Sequence, residues 1–274
     1  MFCMGFSIAT WNINSVRLRI GLIERLLKEN APDILCLQET KCPQGQFPSG
    51  PLKALGYEYI AEFGQKGYHG VAIVSRIPFN TQHSRDFCLK GDCRHVSVLF
   101  EGAIPFALHN LYVPAGGDEP DRDINEKFGH KLDFLSELET WSKDHAAPTG
   151  YEAITVGDLN IAPLEHDVWS HRELVKVVSH TPIEVENFLR IQAAGAWVDV
   201  MRHHIPSPKK LYTWWSYRAK DWSVADKGRR LDHIWATGKL ADKCTSIEVL
   251  RHVRSWTQPS DHVPVIAKFD VDLV

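Results

Sequence analysis

Six short apolar runs in this chain carry polar residues of one chemical kind at one end. The run from Phe6 ends in Thr10, Trp11, Asn12 and Asn14, and residues 33–40 end in Gln38, Glu39 and Thr40. Asn110 and Tyr112 precede a Pro-Gly loop, Asp158 and Asn160 follow Gly157, Asp232 follows two arginines, and Asp261 and His262 stand just before the run that closes the sequence. The runs are rich in β-branched and aromatic residues and are bounded by Gly, Pro and charged turns, which predicts strands. If those strand ends converge, the outcome is a cluster of carboxylates and amides with one histidine and one tyrosine. It contains no cysteine and no second histidine.

Helical spacing is sparser. Val16, Ile20, Ile23 and Leu27 predict a helix with Ser15 as N-cap, and Ile124, Phe128, Leu132 and Leu135 predict another within 120–145. Residues 181–195 carry a fuller set of signals. Thr181 and Glu184 fit a capping box, Pro182 stands at the first helical position, and Gly195 lies past the end. Many strands, few helices and no steady βαβ alternation predict an α/β protein of two packed sheets with helices outside. A chain of 274 residues with 44% hydrophobic content suffices for one large domain, and residues 1–274 are taken as a single unit. No apolar run approaches the roughly 20 residues of a membrane span. The first basic residue is Arg17, so no leader with a basic start is expected. Six scattered cysteines without a CxxC pair predict reduced thiols in the cytoplasm.

An oxygen-rich site with few nitrogens suits Mg²⁺ or Mn²⁺ rather than zinc. Amides and a histidine can donate to a phosphate, and a carboxylate free of metal can activate water. Together they describe metal-assisted hydrolysis of a phosphate ester. Singly, each residue has a plainer explanation. Asn12 and Asn14 suit a turn, Glu39 a surface, Tyr112 packing, Asp232 a salt bridge to Arg229 or Arg230, and Asp261 a cap. The set carries the reading, not its members.

The segments TWNINSVRLR, LQETK, GYHGVAIVSR, NLYVPAGG, VGDLNIAP, YTWWSYR, RRLDHI and SDHVP, spread over residues 10–264, resemble the exonuclease III family of abasic-site endonucleases. That family sits within the wider endonuclease, exonuclease and phosphatase group. The resemblance implies a four-layer α/β sandwich, two mixed sheets flanked by helices, with the site at one end. It implies that Glu39 binds the metal with Asn14 and Asp261 nearby. Asn12, Asn160 and Tyr112 would hold the scissile phosphate, and Asp158 would deprotonate the attacking water. His262, held by Asp232, would stabilise the transition state. The expected activity is incision 5′ of abasic sites, leaving a 3′-hydroxyl, with trimming of 3′ ends. The expected partner is double-stranded DNA with abasic sites or 3′ ends, acted on by a monomer.

Residues 209–230 hold seven basic residues against two acidic ones, interleaved with five aromatics, in a chain of net charge −3. A local basic patch of this kind fits a nucleic-acid backbone, with Arg218 and Arg230 as candidate contacts. By resemblance, Trp214 and Leu231 line a pocket for a base-less sugar, with another tryptophan in the core. One departure stands out. Where part of the family has an aromatic wall, this chain has Arg229, which leaves that wall charged or open. The competing expectation is a phosphoesterase acting on a small molecule or lipid.

Overall fold

The computed structural model describes residues 5–145 and 147–273. The absence of a leader was read partly from residues 1–4, and these lie outside the described residues. Among the described residues fourteen strands form: β1 (Phe6–Asn12), β2 (Ile34–Gln38), β3 (Tyr59–Phe63), β4 (Val71–Ser75), β5 (Asn80–Ser84), β6 (His95–Phe100), β7 (Phe106–Tyr112), β8 (Glu152–Asp158), β9 (Val198–Asp199), β10 (Trp214–Trp215), β11 (Gly228–Arg229), β12 (Asp232–Ala236), β13 (Cys244–Val249) and β14 (Val265–Phe269). One sheet runs β13-β14-β1-β2-β4-β3, the second β5-β6-β7-β8-β12-β9, and β10 and β11 make a small ribbon. Each large sheet contains one parallel pair, β1–β2 and β7–β8, among antiparallel neighbours. Both are therefore mixed, as expected.

A parallel pair needs a crossover, and here each crossover contains a helix. Ile20–Glu29 links β1 to β2, and Glu126–His145 links β7 to β8. Ile23, Leu26 and Leu27 of the first helix pack with Ala9, Trp11, Leu35 and Leu37 of its own sheet. Phe128, Leu132, Leu135 and Leu138 of the second pack with Leu111, Ala153 and Trp235 of the other. The opposite faces of the two sheets meet in a third cluster, in which Ile8, Cys36 and Ile73 join Val98, Leu108, Val156 and Ile234. Strand residues alternate between these clusters, so the order is helix, sheet, sheet, helix. Among the described residues no helix is long and apolar enough to cross a membrane.

Three local expectations change. The first helix begins at Ile20 with Arg19 at its cap, not at Ser15, because Asn14 and Ser15 have φ of 48° and 87° and turn the chain first. Ile124 stands before its helix and is 74% exposed. Edge strand β5 has only exposed residues, so it carried no apolar alternation to read. The capping box at Thr181 and Glu184 is present, with Thr181 Oγ1 donating to Glu184 Oε2 at 2.6 Å.

Candidate active site

The parallel pairs bring their ends to one edge of the sandwich. Asn12 registers with Gln38, the residue before Glu39, and Tyr112 registers with Asp158. Just past three strand ends, Asn14, Glu39 and Asn160 have φ of 48°, 51° and 53°. This left-handed conformation ends extended pairing there. Asparagine tolerates it, whereas for Glu39 it is strain of about 1 kcal/mol or more. Gly157 precedes Asp158 because β7 passes too close for any side chain: an added Cβ would lie 1.9 Å from the Leu111 carbonyl oxygen.

Asn12 stands at the centre, fully buried. Its Nδ2 donates to Glu39 Oε1 and to Asp158 Oδ2, each at 2.9 Å, so one amide joins carboxylates from the two sheets. The Tyr112 hydroxyl donates to Glu39 Oε1 at 2.9 Å. Burial and then the Glu39 charge push the phenol well above its ordinary pKa, so it stays a donor. The Asn160 backbone N–H donates to Asp158 Oδ1 at 2.9 Å, and the Asn160 side chain donates to the Val113 carbonyl.

On the far side of Asp158, His262 Nε2 lies 3.6 Å from Asp158 Oδ2, and His262 Nδ1 lies 2.8 Å from Asp232 Oδ2. All three side chains are buried. Burial alone would lower the His262 pKa. Asp232 and then Asp158 outweigh it and push it up to about 10, which favours the imidazolium. Burial raises the Asp158 carboxyl to about 7 against the pull of His262. The second oxygen of Asp232, Oδ1, is buried without a hydrogen-bond partner, which leaves His262 as the main compensation for that charge. Ser260 Oγ donates to the Asn12 carbonyl at 2.6 Å and accepts from the His262 N–H, tying the last loop to the first strand.

Glu39, Asn14 and Asp261 face a different neighbour. Lys41 Nζ lies 2.8 Å from Glu39 Oε2 and 2.7 Å from Asn14 Oδ1, and Asn14 Nδ2 donates to Asp261 Oδ1 at 3.2 Å. Burial alone would raise the Glu39 pKa, yet Lys41 holds it below the ordinary value. An ammonium already sits between two of the three expected ligands, and the donor set is all oxygen. Both facts fit a hard divalent cation. Asp158, Asp232 and His262 also lie close enough together to suggest a metal cluster. Both imidazole nitrogens there already face carboxylates, at 2.8 and 3.6 Å.

A cavity of about 520 Å³ opens beside this centre, lined by Trp169, Val177, Trp214, Arg218, Arg229 and Asp261 among others. Trp214 donates to Asp261 Oδ2 at 2.9 Å, while Trp215 is buried with Tyr212 and Val263. Leu231 packs with Trp214, Val168 and Leu174. On the other flank, a cavity of about 530 Å³ is lined by Glu39, Lys41, Tyr68, His69, Arg94 and Tyr112 among others.

One expected contact is corrected. Arg230 is fully buried and meets Asp167 and Asp199 at 2.9 and 2.6 Å, so it braces β11 and β12 and cannot reach a DNA backbone. Arg218 is exposed on the cavity rim. Several supports went unread. Arg94 lies 4.8 Å over the Tyr112 ring and is paired with Asp92. Lys131, fully buried, donates to the Asn160 carbonyl at 2.8 Å and pairs with Glu184 at 2.5 Å. The signal for it was present, since Lys131 falls on the apolar stripe of Phe128, Leu132 and Leu135.

A family model described as the Endonuclease/Exonuclease/phosphatase family matches residues 9–262. The chain belongs to that family. Exodeoxyribonuclease III of Haemophilus influenzae is 28% identical, covering 95% of this chain and 98% of the relative. Among solved structures, an AP endonuclease from Archaeoglobus fulgidus superposes with a TM-score of 0.88 at 33% identity, covering 97% of this chain and 100% of that one. A 3′-5′ exonuclease from Neisseria meningitidis does so with a TM-score of 0.88 at 31% identity, covering 96% and 99%. In this family member, both mixed sheets contribute side chains to the candidate site.

Proposed function

We propose that this chain is a metal-dependent DNA-repair hydrolase. It incises duplex DNA 5′ of abasic sites, leaves a 3′-hydroxyl, and trims 3′ ends. The observation that carries this reading is Asn12, one amide hydrogen-bonded to Glu39 on one side and Asp158 on the other. Both carboxylates thus lie within one amide's reach of each other, next to a cavity with tryptophan walls. The exonuclease and AP endonuclease relatives support the choice of substrate.

In this mechanism Asn12, Asn160 and Tyr112 orient the phosphate by donating to its oxygens. Asp158 accepts the proton of the attacking water at Oδ2 or Oδ1. The imidazolium of His262, aimed by Asp232, donates from Nε2 to a phosphate oxygen as charge builds on it. Glu39, with Asn14 and Asp261, would hold Mg²⁺ or Mn²⁺, which when bound supplies Lewis-acid neutralisation of phosphate charge. Trp214, with Leu231 packed against it, walls the base-less sugar, and Arg218 meets the backbone. The enzyme acts as a monomer in the cytoplasm.

The test is cleavage of a labelled duplex with one abasic analogue, in Mg²⁺ and in EDTA, beside an intact duplex. Mg²⁺-dependent incision at the lesion is expected. Cleavage of neither duplex would discard this reading and point to a small-molecule or lipid phosphoester.

A further inference from the structure

Lys131 stands on the apolar stripe of the helix Glu126–His145, and its side chain is fully buried. An ammonium has three N–H groups, and Nζ meets three acceptors. They are Glu184 Oε1 at 2.5 Å, the Asn160 carbonyl at 2.8 Å and the Ala115 carbonyl at 3.3 Å. Each lies on a different segment. Glu184 is in the first turn of the helix Pro182–Ala194, Asn160 follows β8, and Ala115 lies in the turn after β7. That turn closes on the lysine stem, since a Cβ added at Gly116 would stand 2.9 Å from Lys131 Cδ. Glu184 has further partners of its own. The Ser179 N–H donates to both of its oxygens at 2.9 Å, and Thr181 Oγ1 donates at 2.6 Å.

A buried ion pair gains little over apolar side chains of the same volume. Stability alone is therefore a poor reason to place one on an apolar stripe. The two carbonyls are more informative, because the exits of β7 and β8 carry Tyr112, Asp158 and Asn160. These exits are already laced together. The Val113 N–H donates to the Asp158 carbonyl, the Asn160 side chain donates to the Val113 carbonyl, and the Asn160 N–H donates to Asp158 Oδ1, each at 2.9 Å. Lys131 joins the same two exits a second time, through the core. Asn160 is thus held at its N–H, its amide and its carbonyl. It needs the holding, because its φ of 53° lies in the left-handed region. One N–H of the amide is taken by Val113, and the other remains for a phosphate oxygen. We propose that Lys131 is a positioning residue: by gripping the Asn160 carbonyl, it aims the Asn160 amide at the phosphate. This rests on the proposed function. Lys131 touches no reacting atom, and its effect passes through Asn160.

Lys131→Met alone strands Glu184 as an unpaired buried charge and risks unfolding the chain. The test therefore uses Lys131→Met/Glu184→Gln, which removes both charges and keeps an acceptor for Ser179 and Thr181. Glu184→Gln alone is the control, because it disturbs the same pair and leaves the lysine on its carbonyls. Each protein is melted, single-turnover cleavage of a duplex with one abasic analogue gives kcat, and binding of that duplex in EDTA gives Kd. The double variant should melt cooperatively, lose about ten- to a hundred-fold in kcat and keep its Kd within a few-fold. Glu184→Gln should stay within a few-fold of wild type in both. Asn160→Gly accepts the left-handed φ and lacks the amide. Adding the double substitution to it should cost no more than about two-fold further.

A double variant with wild-type kcat overturns the proposal. So does one that no longer melts cooperatively, or an equal kcat loss in Glu184→Gln, since either makes the pair a matter of stability. A loss confined to Kd overturns it too, as does a full further loss on top of Asn160→Gly, which would route the effect past Asn160. A wild-type protein that leaves the abasic duplex intact removes the proposed function itself, and the role of Lys131 with it.

Discussion

The two flanks of Asn12 are built to opposite rules. Toward Asp158, every group is buried, and an imidazole lies between two carboxylates at 2.8 and 3.6 Å. Toward Glu39, the side chains are partly exposed and the charge is balanced by Lys41, a flexible cation with 30% of its side chain in solvent. One flank is closed to solvent. The other is partly open, where an ion would reach it. Chemistry that needs both a settled base and an exchangeable cation has reason to separate them in this way.

That contrast can be broken experimentally. The largest effect is expected at the buried flank. Asp158→Asn keeps the shape but cannot take a proton, so single-turnover kcat should fall about 10³-fold or more while binding of abasic DNA changes little. A loss confined to KM would place the base elsewhere. At the exposed flank, Glu39→Gln should raise the Mg²⁺ needed for half-maximal rate by at least about ten-fold, with activity recovered at high metal. A kcat loss that no metal concentration restores would show that the two flanks are not separable.

A pH profile sharpens the difference. Asp158 must be ionised and its pKa is raised to about 7, so the rate should climb as pH rises through that region. His262 must be protonated and its pKa is raised to about 10, so the rate should fall above it. Asp232 supplies the largest upward push on His262, so Asp232→Asn should move the alkaline limb to lower pH. The smallest effect belongs to Lys41→Met. Removing a cation that competes for Glu39 should lower the metal requirement a few-fold, as read from a Mg²⁺ titration of the rate.

The candidate site was more legible in the sequence than the structure beneath it. Asn12, Glu39, Tyr112, Asp158, Asp232 and His262 announce themselves because a polar residue at the end of an apolar strand is costly unless it has a use. The layered fold followed from strand and helix periodicity. What stayed hidden depends on distant partners. Arg230 belongs to a basic stretch that suggests a surface, yet Asp167 and Asp199 draw it fully inside. The place of Lys131 on an apolar stripe marks it as buried, but its partner Glu184 lies 53 positions on in the sequence. Ser15 failed as a cap because the left-handed turn at Asn14 belongs to the site, and the helix had to start after it.

The hydrogen bonds that close the site join the first strand to the last loop. Trp11 donates to the His262 carbonyl across 251 residues of sequence, and Ser260 reaches Asn12 across 248. β1 itself lies between β2 and β14. A ribosome therefore releases no working nuclease in instalments. The chain must be made through β14 before Asp158 meets its imidazole, so fragments from stalled translation carry half a reaction centre and leave the genome uncut.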